Sequence, residues 1–148
     1  METDQLAELI AKKYEVLEEL RELSRRQDGL IQDTDLPRLM SLLSAKQHLL
    51  NQLQQLERRL DPFRQQDPDQ RIWRSQADRQ RCRTMAERCE SMLSEIMLIE
   101  RQSECELLRR RDLAAAQLQG VHTAAHASGE YAKTSNTQRG HLDLTSEE

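Results

Sequence analysis

Aromatic residues, glycine and proline are scarce in this 148-residue sequence. It contains one Trp, two Tyr, one Phe, four Gly and three Pro. Strands and hairpins draw on aromatic residues and on turn-forming Gly and Pro, so the composition disfavours a β-rich fold. Leu, Gln, Arg, Glu and Ala are abundant instead, and these residues lose little side-chain freedom in a helix. The sequence therefore predicts an all-α protein.

Long apolar runs and an excess of basic charge are also missing. No stretch approaches the roughly 18 consecutive apolar residues of a transmembrane helix, and residues 1–9 alternate acidic and apolar side chains, unlike a secretion signal. The formal net charge of −4 would not attract a phosphate backbone. We expect a cytoplasmic protein with no stable membrane insertion and no nucleic-acid partner; the locally basic stretch at residues 71–83 keeps a nucleic-acid contact as a distant alternative.

Motifs for catalysis or metal binding are absent from the sequence. It carries no Gly-rich phosphate loop, nucleophile elbow or zinc-protease helix, and a narrow coiled coil is not expected to offer a cavity that tunes a catalytic group. His122 and His126 have helical spacing but no third ligand. Cys82 and Cys89 fall on a heptad stripe and Cys105 follows on the same helix, so all three should be reduced thiols. We expect no enzymatic activity, no cofactor and no metal.

Alternating three- and four-residue spacing of apolar side chains predicts the first two helices. Thr3 is expected to cap the first helix, over residues 4–31. Asp35 and Pro37 mark the start of the second, which should end near Leu60, before Pro62. The predicted core positions are Leu6, Leu9, Lys13, Val16, Leu20, Leu23, Gln27 and Leu30 in the first helix and Leu39, Leu42, Lys46, Leu49, Leu53, Leu56, Leu60 and Phe63 in the second. The residues that broaden these stripes are Ile10, Leu17, Leu36, Leu43 and Leu50.

The third helix is predicted to start at Asp67-Pro68-Asp69-Gln70, which has the pattern of an N-cap, a first-turn Pro and a capping Gln. It should continue to about Gly120. Beyond that point the residues are small and polar, so residues 121–148 should form a flexible tail. Short links predict an elongated antiparallel coiled-coil bundle of three long helices over residues 1–120, with an open hairpin as the alternative. The predicted core of the third helix is Ile72 or Trp73, Cys82, Met85, Cys89, Met92, Ile96, Ile99, Ser103, Leu107 and Leu108.

Part of the second predicted helix resembles the FlgN family of flagellar export chaperones. An acidic turn is followed there by leucine spacing that one Lys interrupts: Asp35-Leu36-Pro37-Arg38-Leu39, Lys46, Leu49-Leu50, Leu53 and Leu56-Glu57-Arg58. The tail is similar to the end of some family members through Glu130-Tyr131, Thr134-Ser135, Thr137 and Arg139-Gly140. The run from Arg79 to Cys105 departs from the family pattern.

The resemblance implies a cytoplasmic chaperone of the flagellar type III secretion system. Such a chaperone holds hook-associated proteins, the proteins of the hook–filament junction, and delivers them to the flagellar export gate. Amphipathic client helices would bind to an apolar helix face. That face is expected at Ile99, Leu107, Leu108, Leu113 and Leu118, and Tyr131 is expected to contact the export gate. The alternative function is a structural coiled coil that self-associates through the same stripe, and a weak homodimer of the chaperone is also left open.

Overall fold

The protein is all-α, as predicted. A computed structural model describes the backbone of residues 1–146 and the side chains of residues 1–134. Three long helices follow one another, α1 at Glu2–Gln32, α2 at Leu36–Arg64 and α3 at Gln76–Ser146, with a short 3-10 turn at Pro68–Gln70. They pack antiparallel, and α1 contacts both α2 and α3. The predicted fold class is confirmed.

The chain divides into two compact units, Met1–Glu106 and Leu107–Glu148. The first unit contains α1, α2 and the first part of α3, and it holds the hydrophobic core. The second unit is helical through Ser146, and its described side chains are exposed except for that of Arg110, which is half-buried. The core therefore ends earlier than the predicted bundle of residues 1–120.

Two hydrophobic clusters in the first unit each combine residues of all three helices. This shared packing identifies a three-helix bundle and not an open hairpin. One cluster contains Leu6, Leu9, Leu56, Leu60, Phe63 and Cys82. The other contains Leu17, Leu20, Leu49, Cys89, Met92 and Ile96.

The predicted heptad positions match the buried residues of α2. On α1 several buried residues lie one position after the predicted ones. Every predicted core position of α2 is buried except Leu53, which is partly buried. On α1 the predicted Val16, Leu23 and Leu30 are only partly buried, and the residue after each of them is buried instead. A straight helix has about 3.6 residues per turn, so its inner face moves steadily away from a strict 3.5-residue repeat.

The predicted start of α3 at Pro68 is wrong. The side chain of Asp67 accepts a hydrogen bond from the backbone N–H of Asp69 at 3.0 Å, but this contact caps only the 3-10 turn. Residues 71–75 are not helical. The helix begins after Ser75, whose hydroxyl oxygen accepts a hydrogen bond from the backbone N–H of Asp78 at 3.1 Å.

The non-helical segment before α3 is held against the start of α1. Thr3, the predicted N-cap, lies inside α1 and is buried, and its hydroxyl donates to the carbonyl oxygen of Ile72 at 2.8 Å. Arg74 forms an ion pair with Asp4 at 2.7 Å. Trp73, between these contacts, packs on the core. These contacts replace the helical hydrogen bonds that the sequence predicts here.

Two helices end later than predicted. α2 continues past Pro62 because Phe63 is buried in the core and retains the last turn. α3 continues through Gly120 to Ser146. A Cβ added at Gly120 would meet no atom within 4 Å, so neither a turn nor a close approach requires glycine there, and the neighbouring alanines favour helix. The flexibility of residues 121–148 stays a prediction, and residues 147 and 148 lie outside the described residues.

Candidate partner-binding surfaces

The five residues predicted to bind a client are divided between the two units. Ile99 belongs to the first unit and is partly buried. The other four belong to the second unit and are exposed, with exposures from 41% for Leu108 to 71% for Leu118. They are Leu107, Leu108, Leu113 and Leu118.

One face of the second-unit helix carries several apolar side chains. Leu107, Leu118 and Val121 are separated by eleven and three residues, which places them on the same side of an α-helix. Ala114 and Ala125 fall on this side at the same heptad spacing. We call this face the second-unit stripe; Leu108 and Leu113 lie about 100° or more around the helix from Leu107, on opposite sides of it. The sequence analysis missed Val121, although its spacing from Leu118 could have revealed it.

Tyr131, the predicted export-gate residue, lies on the second-unit helix and is 79% exposed. The neighbouring Thr134 hydroxyl donates to the carbonyl oxygen of Glu130 at 3.0 Å, a contact within the helix. The phenol of Tyr131 is thus accessible to a partner. The remaining tail residues of the family resemblance, from Ser135 to Gly140, lie outside the residues whose side chains are described.

A polar layer crosses the core of the first unit. Lys46 is only 8% exposed, and its ammonium donates to Gln27 Oε1 at 2.6 Å and pairs with the Glu100 carboxylate. The Ser24 hydroxyl donates to the same carboxylate at 2.7 Å. Because these four residues come from α1, α2 and α3, the layer joins all three helices. A buried charge needs such partners, and a polar residue at a core position fixes the register of a coiled coil.

A second ion pair joins α1 to α2 near the opposite end of the first unit. Lys13 Nζ lies 2.7 Å from Glu57 Oε1, and Arg64 also binds this carboxylate. Burial by itself would raise the pKa of Glu57, but the hydrogen bonds from Lys13 and Arg64 outweigh it and hold the pKa below its usual range. The carboxylate is therefore ionised at neutral pH.

Ion pairs locate two positions of α3 against its neighbours in the first unit. Glu95 pairs with Arg21 at 3.2 Å and with Arg25 at 2.5 Å, so its side of α3 faces α1. Glu100 contacts both Lys46 of α2 and Ser24 of α1, so it lies where the three helices meet.

Apolar side chains stay exposed on α2 and α3 beside the ion pair of Lys46 with Glu100. Leu93 and Met97 precede Glu100 by seven and three residues, which puts them on the same side of α3 as Glu100. Leu43 and Leu50 lie three residues before and four residues after Lys46, on the same side of α2 as Lys46. All four are exposed. We call the surface formed by Leu43, Leu50, Leu93 and Met97 the α2–α3 groove.

A cavity of about 510 Å³ lies between α1, α2, α3 and the segment of residues 68–73. Its apolar lining includes Leu6, Leu60, Phe63 and Trp73. The non-helical residues Arg71 and Trp73 form part of its lining, together with residues of all three helices. The charged residues of the lining are Lys13, Arg64, Arg71, Arg79 and Arg83, against Asp69 and Glu90.

Two buried donors beside this cavity find no acceptor among the described residues. They are Arg71 Nε and the indole N–H of Trp73. Arg71 does use another nitrogen, which donates to the carbonyl oxygen of Phe63 at 2.5 Å. A buried donor left without an acceptor costs about 1–3 kcal/mol. The end of the cavity thus combines apolar side chains, basic side chains and donors that lack partners.

Most arginines of the basic stretch at residues 71–83 are paired within the protein. The pairs that join this stretch to carboxylates are Arg74 with Asp4 at 2.7 Å, Arg79 with Asp69 at 3.8 Å, Arg81 with Asp78, and Arg83 with Glu87 at 3.3 Å. These contacts spread the positive charge over neighbouring carboxylates.

The three cysteines differ in accessibility. Cys82 and Cys89 are buried and Cys105 is exposed. Burial raises the pKa of the Cys82 and Cys89 thiols, and Cys89 Sγ lies 3.8 Å from the carbonyl oxygen of Ile10. A raised pKa lowers the thiolate fraction, and the thiolate is the reactive form.

We expect three free thiols when the protein is titrated with a thiol reagent in denaturant without reductant. In the native protein at pH 8, Cys105 should react about tenfold or more faster than the other two, because both burial and a low thiolate fraction slow them. A Cys105→Ser variant should lose only the fast phase. Two fast-reacting thiols in the native protein, or fewer than three in denaturant, would contradict this assignment.

Comparisons with protein-family models, curated proteins and solved structures found no match. In the part of the chain that the structure describes, no helix combines the length and the apolar character needed to cross a membrane. The architecture is that of an all-helical three-helix protein.

Proposed function

We propose that the protein is a cytoplasmic export chaperone that binds flagellar hook-associated proteins and delivers them to the flagellar type III secretion apparatus. The family resemblance in α2 supports this proposal. The residues that carry it lie on α2 and at its N-cap. Leu39, Leu49 and Leu56 among them belong to the core, as does Lys46, whereas Leu36 and Leu50 are exposed. The proposal rests most directly on the second-unit stripe.

The second-unit stripe has the features of a surface that binds a partner helix. Its large apolar members are exposed, although the first unit buries most of the leucines at its heptad positions. Contiguous exposed apolar residues mark protein-binding surfaces, and anchors at three- and four-residue spacing fit an amphipathic helix. Client proteins whose terminal helices associate with one another when free would be kept from associating by such contacts until export. Tyr131, exposed on the same helix, is available for a contact with the export gate.

Replacing Leu113 and Leu118 with Glu should weaken the client complex by about tenfold or more, because both carboxylates would be desolvated without a partner. The measurement is calorimetric titration with a purified hook-associated protein from the source organism. Helical content and unfolding of the first unit should not change. Tyr131→Ala should show the converse behaviour, with normal client binding and reduced export.

Ala116→Glu is the matched control for Leu118→Glu alone, because Ala116 lies only three residues from Leu113. Ala116 is exposed and lies on the side of the helix opposite Leu118, so its carboxylate should stay outside the second-unit stripe and binding should be retained. Unaltered client binding by the Leu113→Glu/Leu118→Glu protein would contradict the proposed client face. If that protein unfolds instead, the two leucines belong to a core.

A self-associating structural coiled coil is the second candidate, because the second-unit stripe could also bind another copy. Sedimentation over a wide range of concentrations separates the two functions. A scaffold should stay oligomeric on dilution, whereas a chaperone should form a one-to-one complex when a hook-associated protein is added. An oligomer that excludes the client would favour the scaffold.

A further inference from the structure

The polar layer divides the core of the first unit into two parts. Both hydrophobic clusters precede the layer on α1 and α3 and follow it on α2. Three further apolar residues are buried beyond the layer and belong to neither cluster: Ile31, Leu39 and Leu42. They lie on either side of the turn that joins α1 to α2. We call residues 28–45, beyond the layer, the turn end, and the part with the two clusters the cluster side.

The polar layer makes the boundary between the two parts easier to separate than the clusters. Lys46 and Glu100 lose hydration when they pack together, and their attraction only roughly offsets that loss. The Ser24 hydroxyl and the Gln27 amide can exchange their partners in the layer for water. Apolar side chains at the same level would instead lose the free energy of burial on separation. The helices therefore part at the layer at a lower free-energy cost than within either cluster.

The turn between α1 and α2 holds a threonine where glycine is usual. The backbone N–H of Asp35 donates to the carbonyl oxygen of Leu30 at 3.1 Å. That of Thr34 donates to the carbonyl oxygen of Ile31 at 3.2 Å. These two bonds form a Schellman motif, whose left-handed residue is usually glycine. Thr34 occupies that position with a φ of 56°, which strains a β-branched residue. Unwinding of the turn end releases this strain.

Ion pairs between helices reinforce the cluster side. Lys13 of α1 pairs with Glu57 of α2 at 2.7 Å, and both side chains are largely buried. Arg21 of α1 pairs with Glu95 of α3 at 3.2 Å. These pairs join α1 to each of its neighbours before the chain reaches the polar layer. The cluster side is thus held by apolar packing and by ion pairs, so it stays folded when the layer separates.

We infer that the turn end opens as a unit at the polar layer while the cluster side stays folded. Opening uncovers Ile31, Leu39 and Leu42, and also Ser103, which follows Glu100 by three residues on α3 and is fully buried. The polar layer acts as a latch that controls access to an apolar surface concealed in the closed bundle. This device lies in the first unit alone and does not rest on the proposed chaperone function.

Native-state hydrogen exchange of the full-length protein tests this inference. The matched segments are residues 40–45 and 50–56, which lie on the same helix α2, on opposite sides of Lys46. Amides of residues 40–45 should have protection factors about tenfold or more below those of residues 50–56, because they exchange through opening of the turn end. Amides of residues 50–56 should exchange only when the whole first unit unfolds.

Two leucine variants distinguish this opening from global unfolding. Leu17 is fully buried on the cluster side and stays packed in the open form. Leu17→Ala should therefore lower the protection of residues 50–56 by about tenfold or more and leave that of residues 40–45 unchanged. Leu42 is buried in the turn end, which is unfolded in both the open form and the unfolded state. Leu42→Ala should therefore lower the protection of both segments.

Thiol labelling measures whether opening uncovers the interior. Ser103→Cys places a thiol at a position that is 1% exposed, as Cys89 is on the cluster side. In a Cys105→Ser background the introduced thiol should react about tenfold or more faster than Cys89. Equal protection of the two segments of α2 would overturn the inference. So would equal losses at both segments in the Leu17→Ala protein, or equal labelling rates of the two thiols.

Discussion

Replacing Glu100 with Ala is expected to destabilise the first unit by about 2–4 kcal/mol. Lys46 would stay buried without its charged partner, and only the Gln27 oxygen at 2.6 Å would still accept from its ammonium. Breaking a buried ion pair by removing one partner costs about 3–5 kcal/mol, and the partial exposure of the Glu100 side chain lowers that figure. Denaturant unfolding followed by the helical circular dichroism signal measures the change.

Adding Lys46→Met to the Glu100→Ala protein should recover most of the lost stability. Methionine fills a similar volume and leaves no charge to be solvated, and apolar replacements of buried pairs are often neutral or stabilising. The control is Arg26→Ala, which breaks an exposed pair with Glu22 and should cost about 0.5 kcal/mol or less. If the double variant is as unstable as Glu100→Ala alone, the unpaired Lys46 is not the cause of the lost stability.

The sequence predicts the position of this polar layer but not its partners. Lys46 interrupts the leucine spacing of α2, so its core position follows from the pattern. Its acceptors are 19 and 54 residues away in sequence, on α1 and α3. Only the packing of three helices brings Gln27 and Glu100 to the same level. Heptad spacing indicates which side of a helix is buried. It does not indicate which residues of the neighbouring helices lie opposite a given residue.

The start of α3 could not be predicted for a related reason. Asp67-Pro68-Asp69-Gln70 has local helix-start chemistry, and Asp67 does cap one turn. The contact that holds the following residues extended is the hydrogen bond from Thr3 to Ile72, which joins positions 69 residues apart. Arg71 and Trp73 of the same extended segment line the cavity. A contact between residues far apart in sequence therefore bears on both the start of α3 and part of the cavity lining.

The exposed apolar residues of α2 show that one pattern of leucines in the sequence allows two interpretations. Leu36, Leu43 and Leu50 were consistent with a broad stripe facing one core. They are exposed instead, and Met40 joins them at heptad spacing. A broad stripe and two separate stripes have the same leucine positions in sequence. The presence of Met40 favours two stripes, but only the exposures of the side chains decide between them.

Leu17→Ala is expected to destabilise the first unit by about 2–5 kcal/mol. Leu17 is fully buried and packs in the cluster that contains Leu20, Leu49 and Met92. Truncation removes apolar contacts and leaves a cavity that three packed helices cannot readily close. Leu53→Ala, which the sequence predicts to cost the same amount, should cost less because Leu53 is only partly buried. Leu36→Ala, at an exposed position, should change stability by about 0.5 kcal/mol or less.

The comparison of Leu17→Ala with Val16→Ala tests the register of α1. A strict heptad places Val16 in the core, whereas the observed inner face has moved to Leu17. The denaturant midpoint should therefore fall much further for Leu17→Ala than for Val16→Ala, at an unchanged slope. Leu loses one methylene more than Val when it is replaced by Ala, which accounts for about 1 kcal/mol. The difference in stability between the two variants should exceed that amount. Equal losses for the two variants would show that both side chains are equally buried. The inference that the buried side of α1 shifts away from the heptad repeat would then be wrong.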